Sequence, residues 1–157
     1  MARAYYSEIH LHFVWHTKLS PPLLVPEVEV EAHELVRQKA LETRDVIVRA
    51  VAGTENHVHI AVTVPPTLTP ATFVGQLKGS SSFSLNQIFP ARDFAWQRGY
   101  GVVSYGTRAM DWVVAYILNQ KQHHAEGTAE ERLERIDQDD EAAEVVAGRA
   151  GAMLVLP

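Results

Sequence analysis

From residue 6 to residue 17 the side chains alternate: Ile9, Leu11, Phe13 and Trp15 fall on one side, and His10, His12, Val14 and His16 on the other. A period of two is the repeat of a β-strand, whose successive residues point to opposite faces. The segment therefore predicts a strand with one apolar face and one imidazole-rich face. A chain carrying such a strand must build a sheet whose two sides differ chemically. Two β-branched runs, 45–52 (DVIVRAVA) and 56–64 (NHVHIAVTV), are separated by Gly53-Thr54-Glu55 and predict a hairpin of two further strands.

Helical periodicity fills the spaces between. After the prolines Pro21, Pro22 and Pro26, residues 27–43 repeat Val28, Ala32, Leu35 and Val36 among polar side chains, which predicts a first helix. Thr69-Pro70 offers an N-cap and a first-turn proline for a second helix, carrying Phe73, Val74 and Leu77 and ending near Phe89-Pro90. Phe94-Ala95-Trp96 and Val102-Val103-Ser104-Tyr105 read as short strands around Gly99-Tyr100-Gly101. Thr107 is expected to cap a third helix running to about His124, with Met110, Val113, Val114, Ile117 and Leu118 toward the sheet. Thr128 with Glu131 has the spacing of a capping box for one more short helix. This order predicts an α+β fold: a mainly antiparallel sheet with helices packed on one face, a ferredoxin-like or RRM-like sandwich. Residues 1–137 form the expected domain, and 138–157 an acidic, then apolar, tail.

The 157 residues suffice for one core. Cysteine is absent, which excludes disulfide scaffolds, thiolate metal ligands and thiol nucleophiles. No apolar run approaches the roughly 18 residues of a membrane span, and the N-terminal residues lack a signal-peptide core. A cytoplasmic protein without a membrane partner is the expectation. The net charge of -5 is unevenly placed. Residues 125–157 hold nine acidic and three basic groups, a balance of -6, which leaves +1 and all eight histidines to residues 1–124. A nucleic-acid partner is thus compatible with the charge of the body, although nothing in the charge points to one.

Two groupings place polar side chains where chemistry can use them. His57 and His59 lie two apart on a strand and so project side by side, which is half of a divalent-metal site or else a pair of imidazoles on a wet face. Tyr116 and Gln120 lie one turn apart on the third helix, in a polar and aromatic stripe with Trp112, His123 and His124. A tyrosine can attack phosphorus, and a glutamine one turn away adds a neutral oxygen ligand.

The strings GTENHVHIAV, FVGQLKGSSSFSLN, FAWQRGYGVVSYG and VVAYILNQKQHHA occur in the order found in the single-tyrosine HUH transposase family. From about Tyr6 to Ile136 the chain resembles its small insertion-sequence transposases and, in particular, their REP-associated tyrosine relatives. The resemblance implies a DNA transposase: a metal-dependent endonuclease and strand transferase acting on hairpin-bearing single-stranded DNA. His57, His59 and Gln120 would hold Mg²⁺ or Mn²⁺. Tyr116 would attack the scissile phosphate to give a 5′-phosphotyrosine, with no nucleotide cofactor. The resemblance also implies a homodimer, commonly with the tyrosine helix of one subunit completing the site of the other, in a bacterial or archaeal cytoplasm and nucleoid-associated when bound.

Lys78, Ser80, Ser81, Arg98 and Lys121 are candidate DNA contacts. His10, His12 and His16 are expected along the open face of the first strand. Two features depart from the family pattern: Asn56 stands where a carboxylate often precedes the first histidine, and 18–22 (KLSPP) carries one charge where a basic cluster is usual. Two other readings compete. One is a domesticated hairpin-binding protein that no longer transposes; the other is an unrelated metal hydrolase using His10 and His12 with His57 and His59.

Overall fold

The computed structural model describes residues 4–18 and 22–136. The expected tail therefore lies outside the described residues. Strands β1 (Ile9–His16), β2 (Ile47–Gly53), β3 (His57–Val64) and β4 (Gly101–Tyr105) form one antiparallel sheet in the order β2-β3-β1-β4. The hairpin between β2 and β3 turns tightly at Gly53. A side chain there would run into the backbone carbonyl of His57, so only glycine fits.

The β1–β3 register separates the two faces of the sheet. Leu11 lies opposite Val62, Phe13 opposite Ile60 and Trp15 opposite Val58, all on one face. Against that face pack α1 (Pro26–Glu42), through Val28, Ala32, Val36 and Ala40, and α2 (Pro70–Ile88), through Phe73, Val74, Leu77 and Leu85. Burial of these side chains forms the main core. Proline opens both helices where its missing N–H costs nothing, and Thr69 precedes α2 without a side-chain cap bond.

The α+β class and the antiparallel sheet are as expected, and α1 and α2 share one face. The second face is also covered. There α3 (Met110–Leu118) lies over β2 and β3, while α5 (Glu131–Glu134) lies over β1 and β4. Ala50 and Ala61 make room on the sheet for Val113 and Ile117 of α3. The histidine side of β1 is therefore not open: His10 is 4% exposed and His12 1%.

Four local expectations are corrected. The third helix breaks at Asn119, whose φ of -106° and ψ of 25° leave the helical region, and α4 (Gln120–Glu126) resumes beyond it. Thr107 opens a 3₁₀ turn and caps nothing, its hydroxyl being held by His10. Phe94–Trp96 forms no strand: Trp96 makes an isolated bridge to Thr17, and both aromatic side chains are buried in the main core. Thr128 likewise bonds His123, and Glu130 occupies the N-cap of α5.

Phe13 is fully buried between the sheet and α2, with its ring 5.6 Å from that of Phe73. Phe13→Ala should cost about 3–5 kcal/mol in urea unfolding, as expected for a large ring lost from a packed core. A loss below about 1 kcal/mol would show that this layer does not carry the fold.

Candidate active site

His57 and His59 project from β3 onto the second face, and their outward nitrogens are fixed by neighbours. His57 Nδ1 lies 2.8 Å from Thr54 Oγ1 and 2.7 Å from Asn56 Oδ1. Thr54 donates its own hydroxyl proton to Asn56 Oδ1, so both oxygens accept from the ring, and the His57 proton sits on Nδ1. His59 Nδ1 lies 2.7 Å from His12 Nε2. Burial and the neighbouring His59 push His12 down to about 3, so His12 is neutral. Its ring also donates to its own backbone, which leaves Nε2 as an acceptor for the His59 Nδ1 proton.

Both histidines consequently present bare Nε2 lone pairs to the same space. Gln120, at the start of α4, brings Oε1 to 3.2 Å from His57 Nε2, while its amide nitrogen reaches the Tyr116 carbonyl. Glu134 of α5 brings Oε2 to 3.4 Å from His57 Nε2 and 3.2 Å from His59 Nε2. The buried His59 Nε2 has no aligned hydrogen-bond partner. Acceptors thus converge with no proton between them, an arrangement that a cation relieves. His57, His59 and Glu134 together have the proximity of a metal-binding group.

Tyr116 faces this cluster from α3. Its hydroxyl donates to Glu134 Oε1 at 2.6 Å and accepts from the Glu130 backbone N–H at 2.8 Å. Burial and the Glu134 carboxylate push the phenol up to about 12. Burial raises the Glu134 carboxyl, and the proton donated by Tyr116 works against that. His124 Nε2 also lies 3.3 Å from Glu134 Oε1. The Tyr116 ring is sandwiched between Trp112, at 5.6 Å, and His123, at 4.6 Å.

The sequence placed Tyr116 on a solvent-facing stripe, whereas the residue is 3% exposed beneath α5. Glu134 was not singled out. No motif marks it; it lies within the short helix expected after Thr128. The tyrosine, the glutamine and both histidines meet within one chain. Asn56, in place of a carboxylate, still orients His57 through its amide oxygen.

The candidate DNA contacts do not join this cluster. Lys78, Ser80 and Ser81 lie on α2, against the other face of the sheet. Ser81 is fully buried and accepts the Trp96 indole N–H at 2.9 Å, so it has no surface to offer a phosphate. Lys78 bonds the backbone carbonyls of Arg98 and Gly99. Lys121 pairs at 2.8 Å with the buried Glu29 and ties α4 to α1. His10 is bonded at both nitrogens, to Thr63 and Thr107, and His12 orients His59, which removes the ligand set of the hydrolase reading.

Acid should destabilise the metal-free protein. Unfolded imidazoles protonate near 6.5, whereas burial holds His12 and His57 at about 3, so between these values the unfolded chain binds more protons and stability falls with pH. The unfolding free energy should begin to fall below pH 6.5, by up to about 1.4 kcal/mol per pH unit for each of the two histidines, and the melting temperature with it. A melting temperature unchanged from pH 7 to 4 would contradict buried neutral imidazoles.

Residues 5–120 match the family described as Transposase IS200 like. No curated protein matches the chain. Among solved structures, a protein from Deinococcus radiodurans R1 assigned as a transposase is 25% identical with a TM-score of 0.62, over 76% of this chain and 96% of that one. A REP-associated tyrosine transposase bound to a REP hairpin is 14% identical with a TM-score of 0.56, over 82% of this chain and 75% of that one, a likeness of fold. With the family match covering most of its length, the chain belongs to the IS200-like transposases.

Proposed function

We propose that this transposase cleaves and rejoins single-stranded DNA beside a hairpin, with Tyr116 as the nucleophile. The observation that carries the reading is the convergence of the Tyr116 hydroxyl with the inward lone pairs of His57, His59 and Gln120 on one buried point. The hairpin bound by the REP-associated structural neighbour supports the substrate class.

The acceptor-only cluster fits a divalent cation, Mg²⁺ or Mn²⁺, held by His57, His59 and Gln120. Bound there, the ion supplies positive charge to the nonbridging phosphate oxygens and lets a tyrosine near 12 ionise. The chain's own groups do the rest. His12, Thr54 and Asn56 hold the imidazoles in the ligating tautomer. The Tyr116 oxygen attacks phosphorus as its proton leaves to water. The bond to the 3′ oxygen breaks, giving a 5′-phosphotyrosine and a 3′-hydroxyl. Attack by a 3′-hydroxyl on the same phosphorus reverses the step and conserves the phosphodiester.

Glu134 has a second consequence in this arrangement. Its carboxylate occupies the space between tyrosine and histidines where a phosphate must enter, and like charge would oppose that entry. The described conformation is a closed one, from which Glu134 withdraws as DNA arrives. In the expected homodimer, each chain would carry its own complete site.

The test is a covalent-adduct assay on a hairpin oligonucleotide with a single-stranded flank. Wild-type protein should form the adduct with Mg²⁺ or Mn²⁺ and not in chelator, and Tyr116→Phe should bind the hairpin but form none. Mixing Tyr116→Phe with His57→Ala protein should give no rescue, because each chain assembles its site in cis. Hairpin binding without any adduct in the wild type would replace this reading by that of a binding protein.

Glu134→Gln gives an independent check. It should bind Mn²⁺ more weakly by calorimetry, having lost a negative group beside the histidines. At saturating metal it should form adduct faster, since the phosphate no longer displaces a carboxylate. Slower adduct formation at saturating metal would make Glu134 a required participant and not an obstacle.

A further inference from the structure

The nucleophile stands in a pile of rings that ends in the open. Trp112, Tyr116 and His123 stack in sequence, with interplanar angles of 23° and 27° between neighbours. At one end His123 is pinned through Nδ1 to Thr128 Oγ1 at 2.9 Å. At the other end Trp112 is 54% exposed, although Tyr116 covers part of its ring. Neither hydrophobic cluster includes it, and the core-facing stripe of α3 runs instead through Val113 and Ile117. A large exposed indole therefore extends the stack on Tyr116 toward solvent.

We propose that Trp112 is the stacking platform for a nucleobase adjoining the phosphate that Tyr116 attacks. The inference rests on the single-strand cleavage reading and names the group that sets the strand in place. A flat apolar ring in contact with the nucleophile offers an unpaired base a partner that a paired base, already stacked in a duplex, does not need. A base seated there brings its own backbone alongside Tyr116, so binding energy at Trp112 is converted into alignment of the reacting phosphate. The contact is sequence-tolerant, because every base has a π-face. It also restricts cleavage to unpaired nucleotides, since only these expose that face.

The three tryptophans make the test direct. Trp15 is 0% and Trp96 8% exposed, so quenching by added DNA reports mainly on Trp112. The full chain would be titrated with a hairpin oligonucleotide bearing a single-stranded flank, in parallel by tryptophan fluorescence and by anisotropy of the labelled DNA. Binding should quench the emission. Trp112→Leu should abolish the quench and weaken binding about 5- to 150-fold, the range for loss of one stacked base. An abasic nucleotide next to the cleaved phosphate should weaken wild-type binding by a similar factor and add little in Trp112→Leu, since both remove the same contact. Trp112→Phe keeps a smaller ring and should recover part of the affinity, which separates stacking from a folding defect. Hairpin binding without a quench, or an abasic penalty equally large in Trp112→Leu, would overturn the platform and leave the cleavage reading standing. No binding of the hairpin by wild-type protein in Mn²⁺ would remove both.

Discussion

The pairing register of β1 on β3 is the constraint on which the site depends. Because side chains alternate along a strand, a slip of one residue would carry Phe13 and Trp15 to the far face and His12 into the core. In the observed register, Val14 faces His59 and His16 faces His57, so five imidazoles, those of His10, His12, His16, His57 and His59, share one surface, with Ala61 beside His12. The apolar burial beneath α1 and α2 holds the register, and the register in turn sets the ligating pair. Stability on one face of the sheet thus determines geometry on the other.

That second face gathers acceptors and little that donates. Two bare imidazole nitrogens, an amide oxygen and a carboxylate oxygen approach one another within a buried volume. His57, His59 and Gln120 are almost wholly buried, and lone pairs facing one another without protons carry a penalty that the rest of the fold must offset. Functional sites keep such conflicts because the group that resolves them arrives with the ligand. The tautomers are not left free to relax it, since Thr54 and Asn56 fix one ring and His12 the other.

Much of this could be read from the sequence. The alternation at Ile9–His16 and the runs around Gly53 gave the strands, because period two and a tight glycine turn are local properties. Tyr116, Gln120, His57 and His59 stood out by spacing and by family resemblance. Other features were hidden for physical reasons. The break at Asn119 follows no proline or glycine, and its effect is to turn Gln120 toward His57, which depends on packing against β2. The burial of Ser81 reflects its position between Phe73, Leu77 and Leu85 on the same helix face, a stripe that its small polar side chain obscured. Glu134 acts only because α5 folds back over β1 and β4, and contacts between elements far apart in sequence leave no periodic trace.

The way α5 is held bears on how the closed site opens. The segment is four residues long and is anchored by the buried Leu133, by Arg132 on the Ser104 carbonyl and by Glu134 itself. Gly101 allows the backbone of Arg135 to approach β4, where any side chain would collide. These contacts are few beside those of α1 and α2, so lifting α5 requires only a local opening and leaves the main core intact. Tyr116 is tied to the same segment through the Glu130 N–H and the Glu134 carboxylate. Under the proposed mechanism, a motion that clears the path for phosphate would therefore also free Tyr116 from the carboxylate that raises its pKa. In that mechanism access and activation would be linked through one short helix, while the ring stack of Trp112, Tyr116 and His123, which does not include that helix, would keep the tyrosine aimed.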